Sequence, residues 1–227
     1  RNPRLLDSLE QFIGPEIAVN PLQFTRIKPP ERLLPKELQE NPNGMISRTN
    51  WHQDLWAFEH EANDTNVVTV WIPITKSTVV NGCLEVVRGS HLTKELSVHC
   101  KPSPTRPGFK GIPEEIVVGE RIPIICDPGD VLVMDKLTQH HSLVNTSDEV
   151  RLSFDLRYQP VGEPEGQAGR HSWIARSKSN PESEISDAKV WKNTWKQIIA
   201  RESSENLSDH MPWRLSARYN LEHPLCY

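Results

Sequence analysis

The sequence has few cysteines, and none of them stands at the short spacing that structural zinc sites and redox motifs require. The four residues, Cys83, Cys100, Cys126 and Cys226, are far apart along the chain. We therefore expect neither a disulfide framework nor a structural zinc site, and a reducing compartment such as the cytoplasm fits best. Because the chain begins with arginine rather than methionine, we expect its N-terminal part to be missing, and an organelle stays open as the location.

Long apolar runs and clusters of like charge are also missing. The longest apolar stretch, residues 67–74, is far too short to cross a bilayer. The formal net charge of −4 comes without any run of lysine or arginine, which argues against a nucleic-acid binder. There is no internal repeat, and nothing in the sequence indicates an oligomeric state. These absences favour a globular protein whose partner is a small molecule rather than a membrane or a nucleic acid.

Glycine is scarce as well, with 11 residues against 19 prolines, which favours short strands and irregular connections over a helical bundle. Residues 66–74 are dense in β-branched and aromatic side chains and predict a buried strand. Residues 131–134 predict a short strand, and residues 151–158 alternate between apolar and polar side chains. A helix is predicted over residues 5–13, closed by Gly14. The pattern predicts a mainly β antiparallel sandwich or jelly roll with flanking helices.

Other segments carry more local predictions. An Asn-Gly pair between β-rich flanks predicts a type I′ hairpin over residues 79–87. Residues 31–49 are polar and are interpreted as a flap or insertion. Residues 180–205 contain an apolar stripe at helical spacing, with Asp187 as an N-cap, and predict a C-terminal helix packed on the core. We expect the whole chain, residues 1–227, to form a single domain.

The stretch N-W-H-Q-D-L-W, from Asn50 to Trp56, places His52 two positions before Asp54. On an extended strand, residues i and i+2 point to the same face, so both side chains can aim at one point. Gln53 is then interpreted as a strand residue that points away. A carboxylate in such apolar company is costly unless a cation lies beside it, which favours a metal ion. Alone the H-x-D pattern is weak, because it also fits a histidine hydrogen-bonded to a neighbouring aspartate.

A third ligand is available in the pair His140-His141, at the start of a loop after the strand predicted at 131–134. Two histidines and one carboxylate form the facial triad of non-haem Fe(II) oxygenases, which leaves positions open for a co-substrate and O₂. A 2-oxo acid also needs a cation for its far carboxylate. Arg151 is the candidate, because a guanidinium pairs bidentately with a carboxylate. An exposed arginine on a solvated strand face is the competing interpretation.

Five motifs, taken in order, resemble those of the phytanoyl-CoA dioxygenase family. They are W-H-Q-D (51–54), V-T-V-W-I-P (68–73), N-G-C-L-E-V-V-R-G-S-H (81–91), P-G-D-V-L (128–132) and H-H-S-L-V-N-T-S…R (140–151). Members of this family are Fe(II)- and 2-oxoglutarate-dependent oxygenases on a double-stranded β-helix, a cupin-like jelly-roll core. The resemblance implies the same fold here, and the same cofactors: Fe(II), 2-oxoglutarate and O₂.

The resemblance also implies the iron ligands. His52 and Asp54 match the first two. Asn145 completes the family's H-x-S-x-x-N pattern, so His140 rather than His141 matches the third.

For the co-substrate, Arg151 matches the arginine that binds 2-oxoglutarate, and Ser142 matches a hydroxyl that helps to hold the same carboxylate. Trp71 matches an aromatic residue near the co-substrate, although a core tryptophan on a strand is an equal alternative. No residue beyond the metal and co-substrate ligands is predicted to be catalytic. The family also has a basic residue near the co-substrate in its N-terminal part, which we expect this chain to lack.

We predict a dioxygenase that hydroxylates an unactivated C–H bond of a small-molecule or acyl substrate and releases succinate and CO₂. Two other interpretations stay open: a jelly-roll binding module that has lost its metal, and a zinc hydrolase with the same three ligands. Metal analysis with a succinate-release assay separates all three. The sequence does not identify the substrate, and the missing basic cluster gives no reason to prefer a CoA thioester.

Overall fold

The computed structural model describes residues 1–40, 46–100, 110–167, 169–204 and 223–226. These residues are mainly β, with ten strands, three α-helices and several single-turn 3-10 helices in the described part of the chain. No helix among them has both the length and the apolar character needed to cross a membrane. The chain divides into two compact units, each built from three segments. The single domain expected from the sequence therefore stays a prediction.

The first unit comprises Arg1–Gln23, Ala57–Val68 and Leu156–Ala217. Helix α1 (Pro3–Ile13) follows Asn2, whose side-chain oxygen accepts hydrogen bonds from two backbone amides of the first turn. It ends at Gly14, as predicted, and buries one apolar face.

The sheet of this unit is formed by three chain segments. Strand β1 (Glu16–Val19) pairs antiparallel with β10 (Trp173–Ser177) on one side. On its other side it pairs antiparallel with the second half of β9 (Arg151–Pro160).

Helix α3 (Ala188–Ser204) lies within the predicted range. The Asp187 carboxylate accepts a hydrogen bond from the backbone amide of Lys189 at 2.7 Å, which confirms the predicted N-cap. Ile198 in the apolar stripe is buried, whereas Trp191 and Ile199 remain exposed. The packing of the whole stripe on a core therefore stays a prediction.

The second unit comprises Phe24–Trp56, Thr69–Asp155 and Arg218–Tyr227. In its first sheet the opening half of β9 pairs antiparallel with β2 (Phe24–Lys28). β9 also neighbours β4 (Val68–Pro73), which in turn borders β7 (Leu132–Asp135). Its second sheet is antiparallel in the order β3 (Thr49–His52), β8 (His140–Ser142), β5 (Leu84–Val87), β6 (Arg121–Ile124).

One core cluster of the second unit contains side chains from both of its sheets. Trp71 on β4 and Met134 on β7 share one buried cluster with Leu84 on β5. Side chains from both sheets therefore meet in a single apolar layer, as in the jelly roll predicted from the sequence.

Two loop predictions have different outcomes. The type I′ hairpin over residues 79–87 is wrong, because β5 pairs with β6 and β8 instead. Such a turn needs positive φ at both central residues, and here Gly82 has it while Asn81 does not. The Asn81 side chain instead accepts from the Thr78 amide and donates to the Lys76 carbonyl.

The segment 31–49 begins with a 3-10 turn (Glu31–Leu33) and helix α2 (Lys36–Glu40). Residues 41–45 lie outside the described residues, and the flap interpretation stays a prediction.

The expectation of no disulfide is wrong for one pair. Cys100 and Cys226, which are 126 residues apart in sequence, are joined by a disulfide. Cys83 and Cys126 are free thiols. Spacing along the chain cannot show a contact that only the fold creates. Because disulfides are rare in reducing compartments, this pair weighs against the predicted cytoplasmic location.

Candidate metal centre

The two histidines of the candidate site are cross-strand neighbours. His52 closes β3 and lies opposite His140, which opens β8, and their ring centroids are 4.2 Å apart. His140 therefore belongs to a strand, not to a loop as predicted. The expectation that His52 and Asp54 share one strand face is also wrong, because the chain leaves β3 after His52 and Asp54 opens a short 3-10 helix.

The turn into that helix nevertheless brings the three side chains together. One ligand atom from each of His52, Asp54 and His140 lies within 4.8 Å of the others, which makes them the group of described residues suited to holding a metal ion. Asp54 and His140 are buried, and His52 is partly buried. Two imidazoles and one carboxylate on one side of an ion form a facial triad and leave its other positions open.

Nδ1 of each of the two imidazoles is hydrogen-bonded to a backbone carbonyl. His52 Nδ1 lies 2.7 Å from the Asn50 oxygen, and His140 Nδ1 lies 2.9 Å from the Thr138 oxygen. Since a carbonyl can only accept, each Nδ1 carries the proton and each Nε2 keeps its lone pair for a metal. The Asp54 carboxylate accepts a hydrogen bond from the Thr69 hydroxyl. Hydrogen bonds of this kind, made to a metal ligand by groups that do not themselves bind the metal, fix the orientation of the ligand.

Burial lowers the pKa of His52 well below its ordinary value. The neighbouring His140 lowers it further, and the Asp54 carboxylate opposes both effects. His52 is therefore neutral at pH 7, which is the form that binds a metal.

His141 points away from this cluster. Successive residues of a strand face opposite sides, and the ring of His141 stacks on Trp51 at 3.9 Å between centroids. Its Nε2 lies 3.0 Å from a Glu85 carboxylate oxygen. The geometry thus separates the two adjacent histidines, and His140 is the one that joins the cluster.

A second group of polar side chains begins two residues further along β8. Ser142 shares the buried face of His140, and its hydroxyl accepts a hydrogen bond from Lys28 Nζ at 2.6 Å. Lys28 Nζ also donates to the Leu143 carbonyl at 2.8 Å. A side chain at position 82 would collide with Lys28, and Gly82, with φ of +80°, permits this close approach.

Arg151 lies directly opposite Lys28 where β9 pairs with β2. It is 2% exposed, donates from one terminal nitrogen to the Ser153 hydroxyl at 2.9 Å, and holds its guanidinium carbon 5.5 Å from the Trp71 ring centroid. The interpretation of Arg151 as a solvated surface residue is therefore wrong. The polar face of β9 turns inward here, and Phe154 on the other face is exposed.

These two buried cations lie beside each other in an environment that disfavours charge. Burial lowers the pKa of Lys28 well below its ordinary value, and the charge of Arg151 adds to that shift. Burial also lowers the pKa of Arg151 to about 10, partly offset by Asp155. The buried Nε of Arg151 has no hydrogen-bond partner among the described residues. An anion with several acceptor oxygens fits this arrangement.

The model of the phytanoyl-CoA dioxygenase family matches residues 1–153. The chain belongs to this family. It is accordingly a 2-oxoglutarate-dependent oxygenase that uses iron, as the sequence motifs predicted.

Solved structures of three other proteins share the fold of this family member. The non-haem monooxygenase ThoJ in its apo form is 19% identical over 89% of this chain and 72% of its own, with a TM-score of 0.64. The epimerase SnoN, in complex with Fe³⁺, α-ketoglutarate and nogalamycin RO, is 22% identical over 73% of this chain and 59% of its own, with a TM-score of 0.52. EvdO2 from Micromonospora carbonacea var. aurantiaca, complexed with 2-oxoglutarate, is 19% identical over 70% and 61%, with a TM-score of 0.53. At these identities the likeness concerns the jelly-roll fold.

Three residues around the candidate site of this family member, Lys28, Thr69 and Gln53, carry no sequence signal of their place there. Lys28 is followed by two prolines, but nothing in a short polar strand indicates that its ammonium group is buried. Thr69 lies in a run of β-branched residues that predicts core packing. Gln53 was interpreted only as pointing away. Their partners are distant in sequence, so no local signal identifies them.

Proposed function

We propose that His52, Asp54 and His140 bind Fe(II) and that the cations beside them bind 2-oxoglutarate in an oxygenase that hydroxylates a small-molecule or acyl substrate. The observation that carries this proposal is the meeting of three ligand atoms within 4.8 Å in the unit that also buries Lys28 and Arg151. A metal site alone fits many reactions. A metal site accompanied by two buried cations fits one whose co-substrate is a dianion.

We assign the far carboxylate of 2-oxoglutarate to Arg151, Ser142 and Lys28. The Nε of Arg151, which has no acceptor in the part of the chain that the structure describes, needs one, and Lys28 and Ser142 are already hydrogen-bonded to each other. A carboxylate near both cations offsets their repulsion and the cost of burying them. Lys28 then supplies the basic contact that was expected to be missing with the N-terminal part. Trp71 packs beside the guanidinium and limits its movement.

When bound, iron and 2-oxoglutarate supply the oxidising chemistry, with O₂ as oxidant and succinate and CO₂ as products. The protein contributes orientation and exclusion of water. The Nδ1 bonds to backbone carbonyls hold both imidazoles in one tautomer, and the Thr69 hydroxyl fixes one oxygen of Asp54. Because Asp54 supplies a carboxylate to the site, we assign hydroxylation or a related oxidation rather than halogenation. A CoA thioester is not favoured over other substrates.

The proposal is tested by metal analysis and succinate release. The metal-free protein is loaded with Fe(II) and 2-oxoglutarate, and succinate is measured with and without candidate metabolites. We expect one equivalent of bound Fe(II) and succinate formation that is lost in His52→Ala. A metal-free binding module would bind no iron, and a zinc hydrolase would form product without succinate, so either result rejects the proposal.

The compartment stays a prediction. The scattered cysteines favoured the cytoplasm, and the Cys100–Cys226 disulfide is the observation that weighs against it. We also propose that the binding partner of the protein is a small-molecule substrate.

A further inference from the structure

Gln53, the residue between two of the proposed iron ligands, is completely buried. Its side chain points away from the site and makes three hydrogen bonds, two as donor and one as acceptor. Nε2 donates to the carbonyls of Glu95 at 3.0 Å and Leu137 at 2.8 Å. Oε1 accepts from the backbone amide of Ser97 at 2.7 Å. Two donors and one acceptor of a primary amide are therefore engaged, a set that no other side chain of this length reproduces.

The backbone of Gln53 is held as well. Its amide donates to Nε2 of His99 at 3.1 Å. Nδ1 of His99 lies 2.7 Å from the Ser97 carbonyl, so Nδ1 carries the proton and Nε2 is free to accept. His99 is fully buried. The peptide between the two ligands is thus fixed from its backbone and from its side chain.

The side-chain amide of Gln53 also reaches the turn that precedes the third proposed ligand, His140. Leu137 immediately precedes Thr138, whose carbonyl holds Nδ1 of His140. A second bond between these segments runs from the Leu55 amide to the Lys136 carbonyl at 3.0 Å. One buried side chain therefore joins the arm that bears His52 and Asp54 to the turn that orients His140.

We propose that Gln53 is a positioning residue that sets the distance and angle between the H-x-D arm and His140, and so determines metal affinity and coordination. This inference rests on the proposed function of the three residues as a metal site. Residues that orient metal ligands typically change metal affinity by about 10- to 100-fold when they are lost. Gln53 acts on all three ligands from a position that touches no metal.

The test compares Gln53→Glu with Gln139→Glu. Both variants exchange an amide for a carboxylate next to a proposed ligand. In Gln53→Glu the carbonyls of Glu95 and Leu137 lose their donor. Gln139 is only partly buried, and its Nε2 donates to the Ser97 hydroxyl at 2.8 Å. Co(II) is titrated into each metal-free protein and followed by the visible absorption of the bound ion, and thermal unfolding of the metal-free proteins is recorded in parallel.

We expect Gln53→Glu to bind Co(II) about 10- to 100-fold more weakly than the unmodified protein, with an altered visible spectrum. Gln139→Glu should retain the affinity and the spectrum. Gln53→Met, which removes the hydrogen bonds without adding charge, should behave like Gln53→Glu and provides the measurement if the charged variant does not fold.

Unchanged Co(II) affinity and spectrum in a folded Gln53 variant would overturn the inference, even if its melting temperature fell, because the residue would then be structural only. If neither variant folds, the positioning role is likewise rejected. Failure of the unmodified protein to bind Co(II), or binding that survives His52→Ala, would reject the proposed metal site itself and is distinguishable from both outcomes.

Discussion

The two ends of the proposed site are built in opposite ways. At the iron end, each proposed ligand already makes a hydrogen bond within the protein. His52 and His140 bond to backbone carbonyls, and Asp54 accepts from the Thr69 hydroxyl. At the co-substrate end, Lys28 and Arg151 lie side by side with lowered pKa values, and the buried Nε of Arg151 has no hydrogen-bond partner in the described ranges of the chain. The first end is organised before its ligand arrives. The second end becomes electrostatically satisfied only when an anion binds.

This difference predicts where ligand binding changes the protein. Metal binding to preoriented side chains requires little rearrangement, because the contacts behind the ligands already exist. Binding of a dianion removes a repulsion between buried like charges, so it should stabilise the folded state markedly. Variants of the two ends should therefore separate metal affinity, co-substrate affinity and stability.

The largest effect is expected for His140→Ala. This change removes one of three ligands and should abolish succinate release and reduce Fe(II) affinity by more than the roughly 10- to 100-fold typical of outer contacts. His141→Ala is the matched control, since its ring stacks on Trp51 outside the cluster. Activity assays and metal titration check both. Activity that survives without His140 but not without His141 would contradict the geometry.

Asp54→Gly tests the charge of the iron end. Loss of the anionic ligand should stop hydroxylation and lower Fe(II) affinity. The unmodified protein, supplied with Fe(II), 2-oxoglutarate, O₂ and chloride, should give hydroxylated product matched by succinate. Mass spectrometry of the products makes the measurement. A chlorinated product from the unmodified protein would contradict the role of Asp54.

Arg151→Ala tests the other end. Breaking a buried charge pair costs about 3–5 kcal/mol, so 2-oxoglutarate affinity should fall by at least about 100-fold while metal affinity is retained. Calorimetric titration of the metal-loaded protein measures the first quantity and Co(II) titration the second. Arg88→Ala, which removes an exposed ion pair with Glu120, is the control. Equal loss of both affinities would make Arg151 a structural residue.

The smallest effect is expected in the pH dependence of stability. The folded state holds Lys28 with a pKa well below its ordinary value of 10.5, so the unfolded chain binds a proton that the folded chain releases. Between the lowered pKa and 10.5, stability of the ligand-free protein should rise with pH. The rise should be reduced in Lys28→Met and in the presence of 2-oxoglutarate. Melting temperatures between pH 7 and pH 10, compared among the three samples, make the measurement. If the melting temperature rises equally steeply with pH in Lys28→Met, the pH dependence comes from other groups.

The residues whose placement followed from the sequence are those with a local signal. The alternation of β9 placed Arg151 on the polar face, and the resemblance to the family's H-x-S-x-x-N pattern, completed by Asn145, favoured His140 over His141. The structure brings His140 into the cluster and turns His141 away. Burial of a polar strand face reverses the usual rule, however, and the periodicity alone favoured solvent for that face.

The remaining errors share a physical cause. The strand containing His52 ends at that residue, two positions before Asp54, and the side chain of Gln53 hydrogen-bonds to Glu95, Ser97 and Leu137. The hairpin predicted at 79–87 does not form, because β5 pairs with β6 and β8 instead. Lys28 could not be assigned because its burial depends on Ser142, which is 114 residues away. In each case a long-range contact overrides the local pattern.

The Cys100–Cys226 disulfide turns the second half of the chain into a covalent ring. His140, Ser142 and Arg151 lie inside the ring, whereas His52 and Asp54 lie on the linear stem that precedes it. A single peptide-bond cut between residues 100 and 226 opens the ring but leaves both pieces joined through sulfur. Nicked protein should therefore migrate as one species on a non-reducing gel and as two after reduction. The third proposed ligand and the arginine thus stay tethered to the stem that carries the other two ligands.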